Sequence, residues 1–195
     1  MYAHRPDSVT ASQFDHLGYG RYGAALFGYI LRIVGRAADA EDILQECFIR
    51  ALAFLDTREA REEAYYRRWL YQVATNLCHD TLRRRARTRR RAVPLDAPEA
   101  PGDDTHEGQG VDALVDPAAS FPSHLARQQL IEQVFARMEP GDVSALLLSD
   151  HLGFSLREVA QMLDCSYAAA AKRVGRARER FTRYYRELGG EEVGQ

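Results

Sequence analysis

Long apolar runs are missing from this chain of 195 residues; none reaches the roughly 18 residues that would suggest a membrane helix. The opening stretch, Met1 to Asp7, lacks the basic-then-apolar order of a secretory signal, so a cytoplasmic location is expected. Cysteine is scarce and odd in number. Cys47, Cys78 and Cys165 stand far apart, each in or beside an apolar helical stripe, and read as small core residues rather than a disulfide frame. Ligand clusters at metal spacing are absent, as are a Gly-rich phosphate loop and a nucleophile elbow, and the histidines are scattered. No metal, cofactor or catalytic residue is therefore expected, and the chain does not read as an enzyme. Lysine is almost absent. Lys172 is the only one, so cationic contacts would be guanidinium forks suited to phosphates and guanine edges.

The net charge of −2 hides strong segregation. Nine arginines and one acid, Asp80, lie between Arg67 and Arg91. Seven acids and no Lys or Arg lie between Ala92 and Ser123. A second basic stretch from Lys172 to Arg186 then follows. A near-neutral whole-chain charge thus says little about local affinity for a polyanion.

Periodicity predicts helices and no strands. The first runs from Phe14 to Val34, with Leu26, Tyr29, Ile30 and Ile33 on one side. The second runs from Asp39 to Leu55 with a stripe from Ile43 to Leu55, and its first-turn acids suit the helix dipole. The third covers Ala64 to Arg91, with Trp69, Leu70, Val73 and Leu77 facing the core and Tyr71, Gln72, Thr75 and Asn76 nearer the polar side. Residues 92–123 hold five prolines, several glycines and few large apolar residues, the composition of a flexible acidic tether. Helices at His124–Met138, Asp142–His151, Ser155–Leu163 and Tyr167–Arg186 complete the chain. The expected fold is all-α: a 14–91 domain and a 124–188 domain, with tails at 1–13 and 189–195.

Ser155 and Glu158 form a capping-box pattern, Asp164–Cys165–Ser166 a tight turn, and Ser166 can cap the basic helix that follows. A short helix, a three-residue turn and a basic second helix is the arrangement that enters a DNA major groove.

In order and spacing, several segments together resemble the extracytoplasmic-function group of bacterial RNA polymerase sigma factors, which keeps only sigma regions 2 and 4. They are Asp39–Phe48, Trp69–Asn76, Asp80–Arg85, Leu146–Leu148, Leu156–Ala160 and Arg173–Arg178. The resemblance implies a region 2 bundle, a region 4 helix-turn-helix and a role in transcription initiation on core polymerase. It implies that Asp39, Asp42, Gln45 and Glu46 bind core polymerase. Arg68, Tyr71, Gln72, Asn76, Arg83, Arg84 and Arg85 would contact the −10 element, and Lys172, Arg173 and Arg176 the −35 element. Loop 57–63 matches the family position that captures a flipped base. An anti-sigma protein is implied as a further partner. One departure stands at the start of the recognition helix. Where relatives often carry Gly-Thr-Val-Lys/Arg-Ser-Arg, this chain has Ala168 to Ala171, Lys172 and Arg173, so the positive charge is displaced by one residue, about 100° around the helix. The alternatives are a stand-alone helix-turn-helix regulator, which leaves the first domain unexplained, and a degenerate sigma-like protein that binds polymerase without opening promoters.

Overall fold

The computed structural model describes residues 18–54, 63–92 and 121–189, and these contain helices and no strand. The predicted start of the first helix at Phe14, the loop 57–62, the body of the tether and both tails lie outside the described residues.

Helix α1 (Tyr19–Val34) begins after Gly18, whose φ of 67° places it in the left-handed region. Gly35 ends it in the same conformation and donates its N–H to Leu31 O at 2.8 Å. That is a glycine C-terminal stop, and it lets the chain turn at once into α2 (Ala37–Phe54). The α2 stripe of Ala40, Ile43, Leu44, Cys47, Phe48 and Ala51 is buried against α1 and α3 (Glu63–Ala92). Burial pushes the Cys47 thiol up to about 12 and raises Cys78 as well. Both are inert core residues, as their apolar neighbours in sequence suggest.

The second group begins with α4 (Phe121–Ala136) and α5 (Pro140–Leu146). Pro140 suits the first turn of α5, where its missing N–H costs nothing. The chain then widens into a π-helical turn, Leu147–His151, in which Leu152 N–H reaches Leu147 O at 2.9 Å. Gly153, at φ 71°, redirects it into α6 (Leu156–Met162) and then α7 (Tyr167–Glu187). The predicted capping box is present: Ser155 Oγ accepts from Glu158 N–H, and Ser155 N–H donates to Glu158 Oε2 at 2.9 Å. Ser166 caps α7 by accepting from Ala169 N–H at 3.2 Å. Asp164 takes a φ of 47° in the turn between them. Val174 and Ala177 are buried, with Phe181 and Tyr184 half-buried beside them.

The two groups do not stand apart. Helices α1 and α3 of the first contact α4, α5 and α6 of the second, and one continuous apolar cluster runs through both. Arg67 Nη2 donates to Leu152 O at 2.6 Å, and its guanidinium lies 4.4 Å from the Phe154 ring centroid. The Phe154 ring meets Tyr71 edge-on at 5.7 Å. His79 Nε2 and Ser144 Oγ are 3.1 Å apart. A chain expected as two modules on a tether is thus described in a docked state.

Candidate nucleic-acid interface

Helix α3 carries three longitudinal stripes, each with a different environment. Tyr66, Leu70, Ala74 and Cys78 are buried within the first group. One residue on, Arg67, Tyr71, Thr75 and His79 recur at every fourth position; Arg67, Tyr71 and His79 face the seam with the second group, and Thr75 bonds Tyr29 of α1. One further, Arg68, Gln72 and Asn76 line the more open side, with Asn76 exposed. Arg68 lies over the Tyr65 ring at 4.9 Å, and Asn76 keeps an amide able both to donate and to accept.

Two expectations are corrected here. Tyr71 is 1% exposed and Thr75 wholly buried, so neither lies on the polar side of α3. Thr75 Oγ1 bonds Tyr71 O and the Tyr29 hydroxyl, each at 2.7 Å. Tyr71 is covered by Phe154 from the turn before α6, and burial raises its phenol above its ordinary value. Helical position alone does not show which neighbouring element covers a face. Trp69 packs against the core at its edge. It is half-buried and stacks on Phe54 at 4.1 Å.

Past His79 the helix becomes strongly basic. Arg83 pairs with Asp80 at 3.0 Å, and Arg84 donates to Thr81 Oγ1 at 3.1 Å. Arg85 turns inward to an ion pair with Asp39 and a bond to Val34 O at 3.2 Å. A −10 candidate and a polymerase-binding candidate therefore neutralise each other across α2 and α3. A groove of about 810 Å³ runs between these helices, with Asp39, Asp42 and Glu46 on one wall and Arg84, Arg85 and Arg89 on the other. Asp42 and Gln45 are exposed, while Glu46 is half-buried and accepts from Arg50 Nε at 2.7 Å.

On α7, Ala170, Val174 and Ala177 mark the inner face. Lys172 and Ala168 lie nearly opposite and are exposed. Arg173 sits beside Gly141 at the start of α5. Arg176 Nη2 donates to Asp142 Oδ1 at 3.0 Å, and Arg180 Nη1 to Asp142 Oδ2 at 2.6 Å. On the other flank Arg178 makes a two-pronged pair with Asp150, at 2.8 and 2.7 Å, which holds the Asp150 carboxyl below its usual range.

Sequence reasoning missed Arg67, Phe154, Ser144 and Asp142. Phe154 was legible as the apolar residue before a capping serine, the position of a hydrophobic staple. Asp142 reads as an ordinary first-turn acid unless the arginines four apart on α7 are matched to it.

The comparisons fit this geometry. Residues 19–88 match sigma-70 region 2 and residues 128–181 match sigma-70 region 4. The chain is 33% identical over 147 residues to the ECF RNA polymerase sigma-E factor of Escherichia coli, covering 73% of this chain and 72% of that protein. It is 30% identical over 162 residues to the RNA polymerase sigma-H factor of Pseudomonas aeruginosa, covering 82% and 79%. Identity to the ECF sigma factor SigE of Mycolicibacterium smegmatis is 27% over 178 residues, and the chain spans 63% of the length of that relative. The crystal structure of the sigma factor RpoE from Bartonella quintana, in complex with the anti-sigma factor NepR, superposes with a TM-score of 0.63. At 19% identity it covers 89% of this chain and 98% of that one, and it supports the all-α fold. With both regions matched in order and relatives at this identity, the chain belongs to the extracytoplasmic-function group of the sigma-70 family.

Proposed function

We propose that this chain joins core RNA polymerase in the cytoplasm, positions it on the −35 and −10 elements of promoters and helps open the duplex, while the core performs nucleotidyl transfer. The observation that carries the reading is the presence of both sigma regions in one chain. The second region alone would serve a stand-alone regulator, but that leaves residues 19–88 without a task.

In this reading residues 14–91 and 124–188 act as regions 2 and 4, with 92–123 as the tether. Asp39, Asp42, Gln45 and Glu46 meet polymerase. Arg68, Gln72 and Asn76 hold the opened −10 strand, and Arg83, Arg84 and Arg85 hold its phosphates, an affinity that falls steeply with salt. Tyr71 joins them only once Phe154 is withdrawn, so engagement of the −10 element requires the two groups to part. Lys172, Arg173 and Arg176 address the −35 duplex. An anti-sigma protein that favours the docked arrangement would keep Tyr71 covered. The chain carries out no reaction of its own.

The test adds the purified chain to sigma-free bacterial core polymerase and maps transcripts from genomic DNA of the source organism. Discrete starts that share spaced upstream motifs are expected. Core binding without starts would favour the degenerate reading. Sequence-specific DNA binding without core binding would overturn the proposal in favour of a stand-alone regulator.

A further inference from the structure

Asp142 stands apart from the other acids described here. It is 2% exposed, whereas the carboxylates of Asp80, Asp150 and Glu187 reach solvent. Burying a carboxylate is costly unless charge and hydrogen bonds compensate it. Both of its oxygens are occupied, one by Arg176 and one by Arg180, a helical turn apart on α7. The arginines themselves are not buried. Their side chains remain 44% and 34% exposed, and each gives one guanidinium nitrogen to Asp142, which leaves further N–H donors of the fork for another acceptor. Both lie on the α5 side of the groove-facing line through Ala168 and Lys172.

We propose that Asp142 is a positioning residue for duplex binding: it holds Arg176 and Arg180 as a preformed clamp for the DNA backbone at the rim of the major groove. A free arginine loses rotamer freedom when it seizes a phosphate, and one already fixed by a buried acid loses less. Backbone contacts set register and affinity without reading sequence. Base reading then falls to Lys172 and to the methyl groups of Ala168 and Ala169, which suit thymine methyls better than hydrogen-bonding edges. This rests on α7 entering the −35 groove.

The sign of one substitution separates the clamp from plain electrostatics. Asp142→Asn removes a negative charge beside DNA, so Coulomb's law alone predicts tighter binding. The clamp predicts weaker binding, by about tenfold, with a salt dependence shallower by about one phosphate contact. The assay is the affinity of holoenzyme carrying the full chain for a promoter fragment recovered in the transcript mapping, across a salt series. Asp150→Asn, which frees Arg178 on the far flank, is the control and should leave binding unchanged or tighter. If Asp142→Asn fails to fold, Arg176→Lys and Arg180→Lys decide, because each keeps the charge and loses the fork. Weakening in both supports the clamp, and wild-type affinity in both overturns it. Equal or tighter binding by folded Asp142→Asn also overturns it. A wild-type holoenzyme indifferent to scrambling of the −35 sequence would instead sink the placement of α7.

Discussion

Helices α3 and α7 are both long and rich in arginine, yet the structure uses their arginines differently. On α7, Arg176, Arg178 and Arg180 are bound by acids of the same group, Asp142 and Asp150, so much of the helix's charge fastens it to α5 and the π turn. On α3, Arg67 is spent in the seam and Arg85 on Asp39, while Arg87, Arg89 and Arg90 are exposed and bridge no acid among the described residues. Charge density along a sequence therefore does not measure charge available to DNA. What decides it is where the acids of neighbouring helices stand. The covered faces differ as well. The outward line of α7 through Lys172 is open, whereas the Tyr71 stripe of α3 is closed off by the other group.

Removing the cover should have the largest effect. Phe154→Ala deletes the ring that packs on both Arg67 and Tyr71 and leaves a cavity in the seam. Truncating a buried phenylalanine costs about 3 kcal/mol or more, readable by urea unfolding. Tyr71 should become open to nitration in the same variant. A loss under about 1 kcal/mol, with Tyr71 still protected, would mean that Phe154 is not what covers it.

A smaller effect tests the claim about acids directly. Arg85→Met breaks the Asp39 pair, whose side chains are 23% and 24% exposed, and should cost about 2 kcal/mol. Arg87→Met, two residues on and exposed, should stay within about 0.5 kcal/mol. Equal costs would show that position in the run matters and the partner acid does not.

This contrast also marks how far the sequence could be read. The apolar stripes of α1 and α2, the capping box at Ser155 and the turn at Asp164 follow from local rules, and the end of α1 and the bounds of α2 and α6 fall within a few residues of expectation. The two-region organisation was legible because each region buries its own stripe. Docking was not, because it depends on groups far apart in sequence: Arg67 with Leu152, His79 with Ser144, Arg176 with Asp142. Tyr71 and Thr75 look polar-facing by helical position, yet Tyr71 is covered by Phe154 of the second group and Thr75 by Tyr29 of α1.

The Ser155 cap offers a smaller test of the same distinction between local and long-range structure. Ser155→Ala removes a hydroxyl that accepts from Glu158 N–H and donates to its carboxylate at 2.7 Å, and it should cost about 1 kcal/mol. The loss belongs to α6, so unfolding should change while the docking of Phe154 on Tyr71 survives. A simultaneous rise in Tyr71 nitration would tie the cap to the seam.

The smallest expected effect concerns a titrating group in the seam. His79 bonds Ser144 of α5, with Arg83 and Asp80 on its own helix and Arg173 reaching it from α7. Burial lowers its pKa first, the two arginines lower it further, and Asp80 opposes them. In the docked state the imidazole is therefore held neutral. Once released, it regains an ordinary value near 6.5. Above that value both states are neutral and docking does not depend on this group. As pH falls below it, the parted state takes up a proton that the docked state resists, so docking weakens on the acid side. Small-angle scattering of the wild-type chain should show the radius of gyration rising between about pH 7 and about pH 5.5. His79→Gln, which can still bond Ser144 but does not titrate, should flatten that rise. Identical curves for the two proteins would remove His79 from the seam's energetics and leave Arg67, Phe154 and the shared apolar cluster to hold it.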